Sequence, residues 1–334
     1  MEPAGPQRDA GTGAGDQSRL AAVTPVRAPT AVRASSVVQR PAAPRRPRLK
    51  RGPLRIGEPA PAIEARVARA EPYRPDTIAD GGRAFGLTVR AASVRGLQKR
   101  YAGGPRQDDL CLRLHEPTST LVAAVADGVS GAARSDLAAA LAVRHATAAV
   151  ARQLDRGSQA IDWSDVFEQA AWALVEEHRR ESGDRRAGVQ EASAALATTL
   201  LVAAICSGHG EQAPSVQLAA VGDSPALMLD RLVFTPIVGA GGGDGGLLAG
   251  AVSALPRAVH AVQEASCKLT PSSVLLLCTD GLALPLAGGT GEVGRTFARE
   301  LKRPPDVIDI ARLLDFSRST YDDDRTLIAI WWRR

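Results

Sequence analysis

Leu121-Val-Ala-Ala-Val-Ala-Asp127-Gly128 is an unbroken apolar run that ends in a carboxylate at a turn. Two further stretches repeat it: Val216-Gln-Leu-Ala-Ala-Val-Gly222-Asp223-Ser224 and Val274-Leu-Leu-Leu-Cys-Thr-Asp280-Gly281. A fourth acidic knot, Asp322-Asp323-Asp324, precedes the closing run Thr326-Leu-Ile-Ala-Ile-Trp-Trp332. Apolar runs of this length, bounded by turn residues, read as buried strands. One Asp-Gly doublet is only a turn signal. Strands that repeatedly end in aspartate imply converging carboxylates, which repel one another unless a cation sits among them. An oxygen-only set with few His or Cys suits a hard ion such as Mg²⁺ or Mn²⁺ rather than zinc or copper.

Outward from these runs, Ala84–Ala92 alternates as a strand, followed by a Gly-rich basic turn over 96–106. Leu110–Leu114 pairs with Leu121–Ala126 as a hairpin. A helix capped by Ser135 or Asp136 runs to about Leu154, and a second starts near Asp162 or Ser164. Residues 194–206 and 216–229 read as two neighbouring strands, and a helix is expected near Asp306–Phe316 before the closing strand. Strands meeting strands, with helices inserted in pairs, predict an α+β fold: an antiparallel β-sandwich flanked by helix pairs.

Composition divides the chain. Residues 1–75 hold 14 Lys+Arg against 6 Asp+Glu, so the overall charge of +5 separates into +8 there and −3 in the remainder. That Pro/Ala/Arg-rich stretch lacks periodicity and cannot bury enough apolar surface to offset its ordering entropy. A disordered basic tail over 1–80 and a folded domain over 81–334 are expected. The cluster Arg45-Arg46-Pro47-Arg48-Leu49-Lys50-Arg51 has no interleaved aromatics, which favours a solvated linker over a nucleic-acid contact. No run of about 20 apolar residues predicts a membrane span, and no secretory leader stands at the N-terminus. Cys111, Cys206, Cys267 and Cys278 form no C-x-x-C pair and read as reduced, which points to the cytoplasm.

Rival motifs are weak. Gly239-Ala-Gly-Gly-Gly-Asp-Gly-Gly246 contains G-x-G-x-x-G by density of glycine alone, with no Gly-Lys-Ser/Thr after it, and reads as a loop. No G-x-S-x-G elbow exists, and His115, His145, His178, His209 and His260 fall outside the aspartate turns, which argues against a Ser-His-Asp hydrolase.

The ordered set resembles the metal-dependent phosphatases of the protein phosphatase 2C type, particularly their compact bacterial branch. It runs Gly96-x-x-Lys99-x-x-x-Gly103-x-x-x-Gln107-Asp108, Val125-Ala-Asp127-Gly128-Val-Ser-Gly131, Ala197-Thr-Thr-Leu200, Val221-Gly-Asp223-Ser224, Cys278-Thr-Asp280-Gly281 and Asp323-Asp324-Arg-Thr326. The resemblance implies two Mg²⁺ or Mn²⁺ ions and hydrolysis of phosphoserine or phosphothreonine by a metal-bridging hydroxide. Asp127 would bridge both ions, with the Gly128 carbonyl on one; Asp280 and Asp323 would hold one ion and Asp108 would support the other. Asp223 falls on the position of a third, weaker ion. Gln107 stands where the family often has Glu, and the family's phosphate-binding arginine falls on Gly103 or Gly104, leaving Arg100 or Arg106 as substitutes. The implied partner is a phosphoprotein made by a Ser/Thr kinase, met by a monomer. The alternative is a catalytically weak pseudophosphatase that binds and regulates.

Overall fold

The structure, a computed structural model, describes residues 53–158, 160–207, 212–239 and 253–332. The basic cluster at 45–51, His209 and the glycine loop beyond Gly239 lie mostly or wholly outside the described residues; of the cluster none is described.

The described strands are β1 (Leu54–Arg55), β2 (Thr77–Ala84), β3 (Leu87–Val94), β4 (Asp109–His115), β5 (Thr120–Ala126), β6 (Leu200–Cys206), β7 (Ser215–Val221), β8 (Ala226–Asp230), β9 (Val233–Val238), β10 (Gln263–Lys268), β11 (Val274–Cys278), β12 (Phe316–Ser317) and β13 (Arg325–Trp332). The helices are α1 (Leu97–Ala102), α2 (Ser135–Asp155), α3 (Trp163–Ser182), α4 (Val189–Ala195), α5 (Asp280–Leu286), α6 (Glu292–Glu300) and α7 (Val307–Leu314). Two antiparallel sheets carry the domain, ordered β10-β7-β6-β5-β4 and β2-β3-β13-β11-β8-β9.

Side-chain alternation builds the layers. In β5, Leu121, Ala123 and Val125 point between the sheets, whereas Val122, Ala124 and Ala126 face α2 and α3. In β13, Ile328, Ile330 and Trp332 enter the inter-sheet core, and Leu327, Ala329 and Trp331 face α5, α6 and α7. Both faces of the central strands are therefore covered, which explains why they read as continuous apolar runs instead of alternating ones. The α+β sandwich with flanking helices is as the sequence predicted.

The α2–α3 pair owes its close approach to alanine: Ala138, Ala139, Ala142, Ala146, Ala149, Ala170 and Ala171 all lie in the core between the helices and the five-stranded sheet. Asp162 caps α3, its side chain accepting the Asp165 N–H at 3.1 Å. Ser135 and Asp136 instead sit in the first turn of α2, with Arg134 at the cap and no side-chain bond there.

Several boundaries differ from expectation. The stretch read as one strand over 84–92 is the second half of a hairpin, turning at Phe85 (φ 53°) and Gly86 (φ 76°). That left-handed two-residue turn ordinarily calls for Asn-Gly or Asp-Gly, so Phe-Gly gave no signal. The supposed turn after Gly96 contains α1, stopped by Gly103 in the left-handed conformation. Residues 216–229 break at Gly222-Asp223-Ser224, so that β7 belongs to one sheet and β8 to the other.

The tail expectation also meets its edge here. Within 53–80, Leu54–Arg55 pairs in parallel with Phe316–Ser317, Ile56 is buried, and β2 already begins at Thr77. Arg66 N–H donates to Arg100 O at 2.9 Å, and Arg69 N–H to Gly103 O at 3.0 Å. Composition cannot reveal such an arm, because its bonds are made by the backbone.

Candidate metal centre

The carboxylates collect at one end of the sandwich, where both sheets deliver loops. From the five-stranded sheet, β5 runs into Asp127. Its backbone is clamped by the entry to β6: Asp127 O accepts from Thr199 N–H at 2.8 Å and Thr198 Oγ1 at 2.9 Å, while Asp127 N–H donates to Thr199 Oγ1 at 3.0 Å. Thr199 Oγ1 lies 2.8 Å from Ser224 Oγ, tying the Asp223 turn to the same clamp. Gly128 is required by close approach, since a Cβ there would stand 2.5 Å from Ser135 O and 2.8 Å from Gln107 O.

From the six-stranded sheet, β11 ends at Cys278, Thr279 opens α5, and Asp280 is its first residue. Gly281 lets that turn press on the acidic loop: a Cβ would fall 2.0 Å from Asp324 O. Asp324 is buried, with one oxygen accepting from Gly96 N–H and the other from Gln107 N–H, both at 2.6 Å. Asp323 Oδ1 accepts the Asp324 N–H at 2.9 Å.

Asp108 forms the floor. It is 1 % exposed, and its Oδ2 accepts from Thr279 Oγ1 at 2.8 Å and Thr326 Oγ1 at 2.7 Å. Behind it, Arg106 Nη1 donates to Ser93 Oγ at 2.8 Å, and Ser93 Oγ lies 2.6 Å from Thr326 Oγ1. A consistent donor order runs from guanidinium to serine to threonine to carboxylate. Such a chain carries part of the arginine's positive field to Asp108.

The electrostatics are those of an uncompensated acidic site. Burial, then the charge of Asp324, pushes Asp108 well above the usual carboxylate range, against the opposing pull of the threonine hydroxyls. Burial first, then the charges of Asp108 and Asp280, does the same for Asp127. Asp223 is raised by burial and by Asp280. Asp280 Oδ1 is buried with no hydrogen-bond partner.

The orphaned Asp280 oxygen, the mutual repulsion and the all-oxygen donor set fit a hard divalent ion. Among the described residues, no group of three or more His, Cys, Asp or Glu side chains is placed so that it could hold a metal ion as it stands. Asp127 is within electrostatic reach of Asp108, Asp280 and Asp323, and Asp223 is within reach of Asp280.

Both arginines expected to grip phosphate are engaged elsewhere. Arg100 bridges Asp76 (2.7 and 3.1 Å) and Asp315 (2.6 Å); burial alone would lower its basicity, but these carboxylates more than offset it and raise it. Arg106 is 1 % exposed beneath the site, its Nη1 donating to Ser93 and the Asp108 carbonyl and its Nε to the Pro75 carbonyl. Sequence reasoning missed Thr279, Thr326 and Ser93. Their only signal was a hydroxyl residue directly beside each acidic turn or strand end.

The family model described as "Protein phosphatase 2C" matches residues 95–315. The chain belongs to the protein phosphatase 2C family. Among solved structures it resembles a bacterial serine phosphatase carrying a single arginine-to-lysine mutation, at TM-score 0.52 and 14% identity, covering 73% of this chain and 97% of that one. It is also similar to the catalytic domain of the serine/threonine protein phosphatase PstP in complex with two manganese ions (TM-score 0.47, 18% identity, 74% and 99% covered). RsbX in complex with magnesium is a further match (TM-score 0.46, 14% identity, 76% and 98% covered). No curated protein matches the chain. Among the described residues of this protein phosphatase 2C domain, no helix is long and apolar enough to cross a membrane.

Proposed function

We propose that this chain is a metal-dependent phosphatase that hydrolyses phosphoserine and phosphothreonine in proteins. The carrying observation is the partnerless buried oxygen of Asp280 among the mutually repelling Asp127, Asp108 and Asp323. Asp127, the Gly128 carbonyl, Asp280 and Asp323 are the groups that would hold Mg²⁺ or Mn²⁺, with Asp223 as a weaker additional ligand. Asp108, one oxygen already taken by two hydroxyls, supports the centre chiefly through its charge. When bound, the ions supply Lewis-acid activation of water and neutralise charge developing on the phosphoryl group. The protein's own residues hold the carboxylates apart on two sheets, fix Asp127 through its backbone, and anchor Asp324 with two N–H groups. The substrate is the product of a Ser/Thr kinase, met by a monomer in the cytoplasm.

A second reading, a weak pseudophosphatase, is favoured by the commitment of Arg100 and Arg106 to other partners. Mn²⁺-dependent hydrolysis of p-nitrophenyl phosphate and a phosphothreonine peptide decides between them. Turnover in the wild type that is lost in both Asp127→Asn and Asp280→Asn supports the enzyme. Absence of turnover in the wild type, or turnover indifferent to both substitutions, sinks it.

A further inference from the structure

With the two expected arginines occupied, the cations near the acidic mouth can be sorted by what already holds them. Arg74 pairs with Asp109 at 2.8 Å, and Arg95 pairs with Asp76 at 2.9 Å while also donating to the Gly104 and Arg66 carbonyls. Arg325 is buried, donating to the carbonyls of Leu314, Phe316 and Tyr321. Lys99 differs. It is half-buried, and the partner of its Nζ is a neutral hydroxyl, Ser130 Oγ at 3.3 Å. Ser130 is exposed on the loop that follows Asp127-Gly128, and its hydroxyl donates weakly to Gln107 Oε1 at 3.4 Å.

The stem of Lys99 is nonetheless well fixed. It stands on α1, whose start is bound to the acidic loop by Gly96 N–H to Asp324 and by Gln98 N–H to Asp322 O at 3.1 Å. The chain's N-terminal arm secures the same helix through Arg66 N–H to Arg100 O. The Ser130 hydroxyl that Lys99 Nζ reaches belongs to the loop directly after Asp127-Gly128, which sets the cation beside the acidic turn.

We infer that Lys99 is the phosphate-anchoring residue of the site: its ammonium leaves the Ser130 hydroxyl and contacts the phosphoryl oxygens of a phosphomonoester dianion at the mouth. This rests on the phosphatase reading above. A long, weak bond to one exposed neutral hydroxyl is readily exchanged for a charge-assisted bond to a dianion. The carboxylate-bound arginines have no comparable incentive to move. Lysine acts as a compact point charge without the bidentate fork of arginine, so it attracts the dianion without imposing its orientation.

The test titrates orthophosphate calorimetrically into Mg²⁺-loaded wild type, Lys99→Ala and Lys99→Arg, with KM for p-nitrophenyl phosphate and Mn²⁺ affinity measured in parallel. Removing one charge-assisted contact is expected to weaken orthophosphate binding and raise KM by roughly tenfold in Lys99→Ala. Lys99→Arg restores most of both. Mn²⁺ binds Lys99→Ala at least as tightly as wild type, because a cation has left the rim; weaker Mn²⁺ binding would mark a merely structural role and overturn the assignment. Wild-type turnover with orthophosphate binding and KM untouched in Lys99→Ala overturns it too, leaving the phosphatase reading intact. A wild type that binds neither Mn²⁺ nor orthophosphate removes both.

Discussion

Asp127→Asn is expected to stabilise the metal-free protein while abolishing its response to metal. Asp127 is raised by burial and by the charges of Asp108, Asp280 and Asp323. An amide keeps the shape and removes one repelling charge. Two unit charges 4 Å apart interact by about 4 kcal/mol at an effective dielectric of 20. Asp127 is partly open to solvent, and the wild type relieves strain by retaining a proton, so the gain at pH 7.5 is discounted to ~1–2 kcal/mol. In a domain of this size that corresponds to roughly 2–8 °C in Tm. Mn²⁺ at a hundredfold excess over Kd reverses the order, since the wild type then gains about 2.7 kcal/mol that the variant lacks.

The sign of the pH dependence follows from the direction of the shift. A carboxyl raised in the folded state still holds its proton after the unfolded chain has released its own. Wild-type stability in EDTA therefore falls as pH rises from about 4 through the raised value. The variant lacks this loss, so the gap between the two is small at pH 5 and wide at pH 8. Thermal melts in EDTA and in Mn²⁺ at these pH values provide the assay. An Asn variant that melts below wild type in EDTA at pH 8, or gains as much from Mn²⁺, would refute the reasoning.

Two further outcomes follow from the corrected roles of residues 100–109. Arg100→Gln removes the bridge between Asp76 and Asp315 and should cost ~1–3 kcal/mol in urea unfolding, with KM for p-nitrophenyl phosphate unchanged; a large rise in KM would return Arg100 to the substrate. Gln107→Glu adds a carboxylate beside the Asp127-Gly128 loop while keeping the backbone bond to Asp324. It should tighten Mn²⁺ binding by calorimetry and lower Tm in EDTA; unchanged Mn²⁺ affinity would show that the side chain stands outside the centre.

The sandwich and its helix layers were legible because apolar runs such as Leu121–Ala126 and Leu327–Trp332 can be buried only between two covering layers. The Asp127 and Asp280 turns were legible for a related reason: a strand end followed by Asp-Gly marks a place where backbone comes close and charge is concentrated. Local pattern failed where a bond joins distant segments. The arm over 53–75 carries no apolar periodicity, and the Phe85-Gly86 turn lacks the usual turn residues.

The amino-acid sequence by itself determined the fold class and the four acidic loops, because burial periodicity and turn residues are local properties. Only the tertiary structure decided which cations face the site. Arg100, Arg106 and Lys99 are neighbours in sequence with similar charge, yet they are separated by what lies opposite each of them: carboxylates for Arg100, the buried floor for Arg106, and one neutral hydroxyl at the mouth for Lys99. Electrostatic partnership depends on distances between residues far apart in the chain, and those distances exist only once the two sheets have packed.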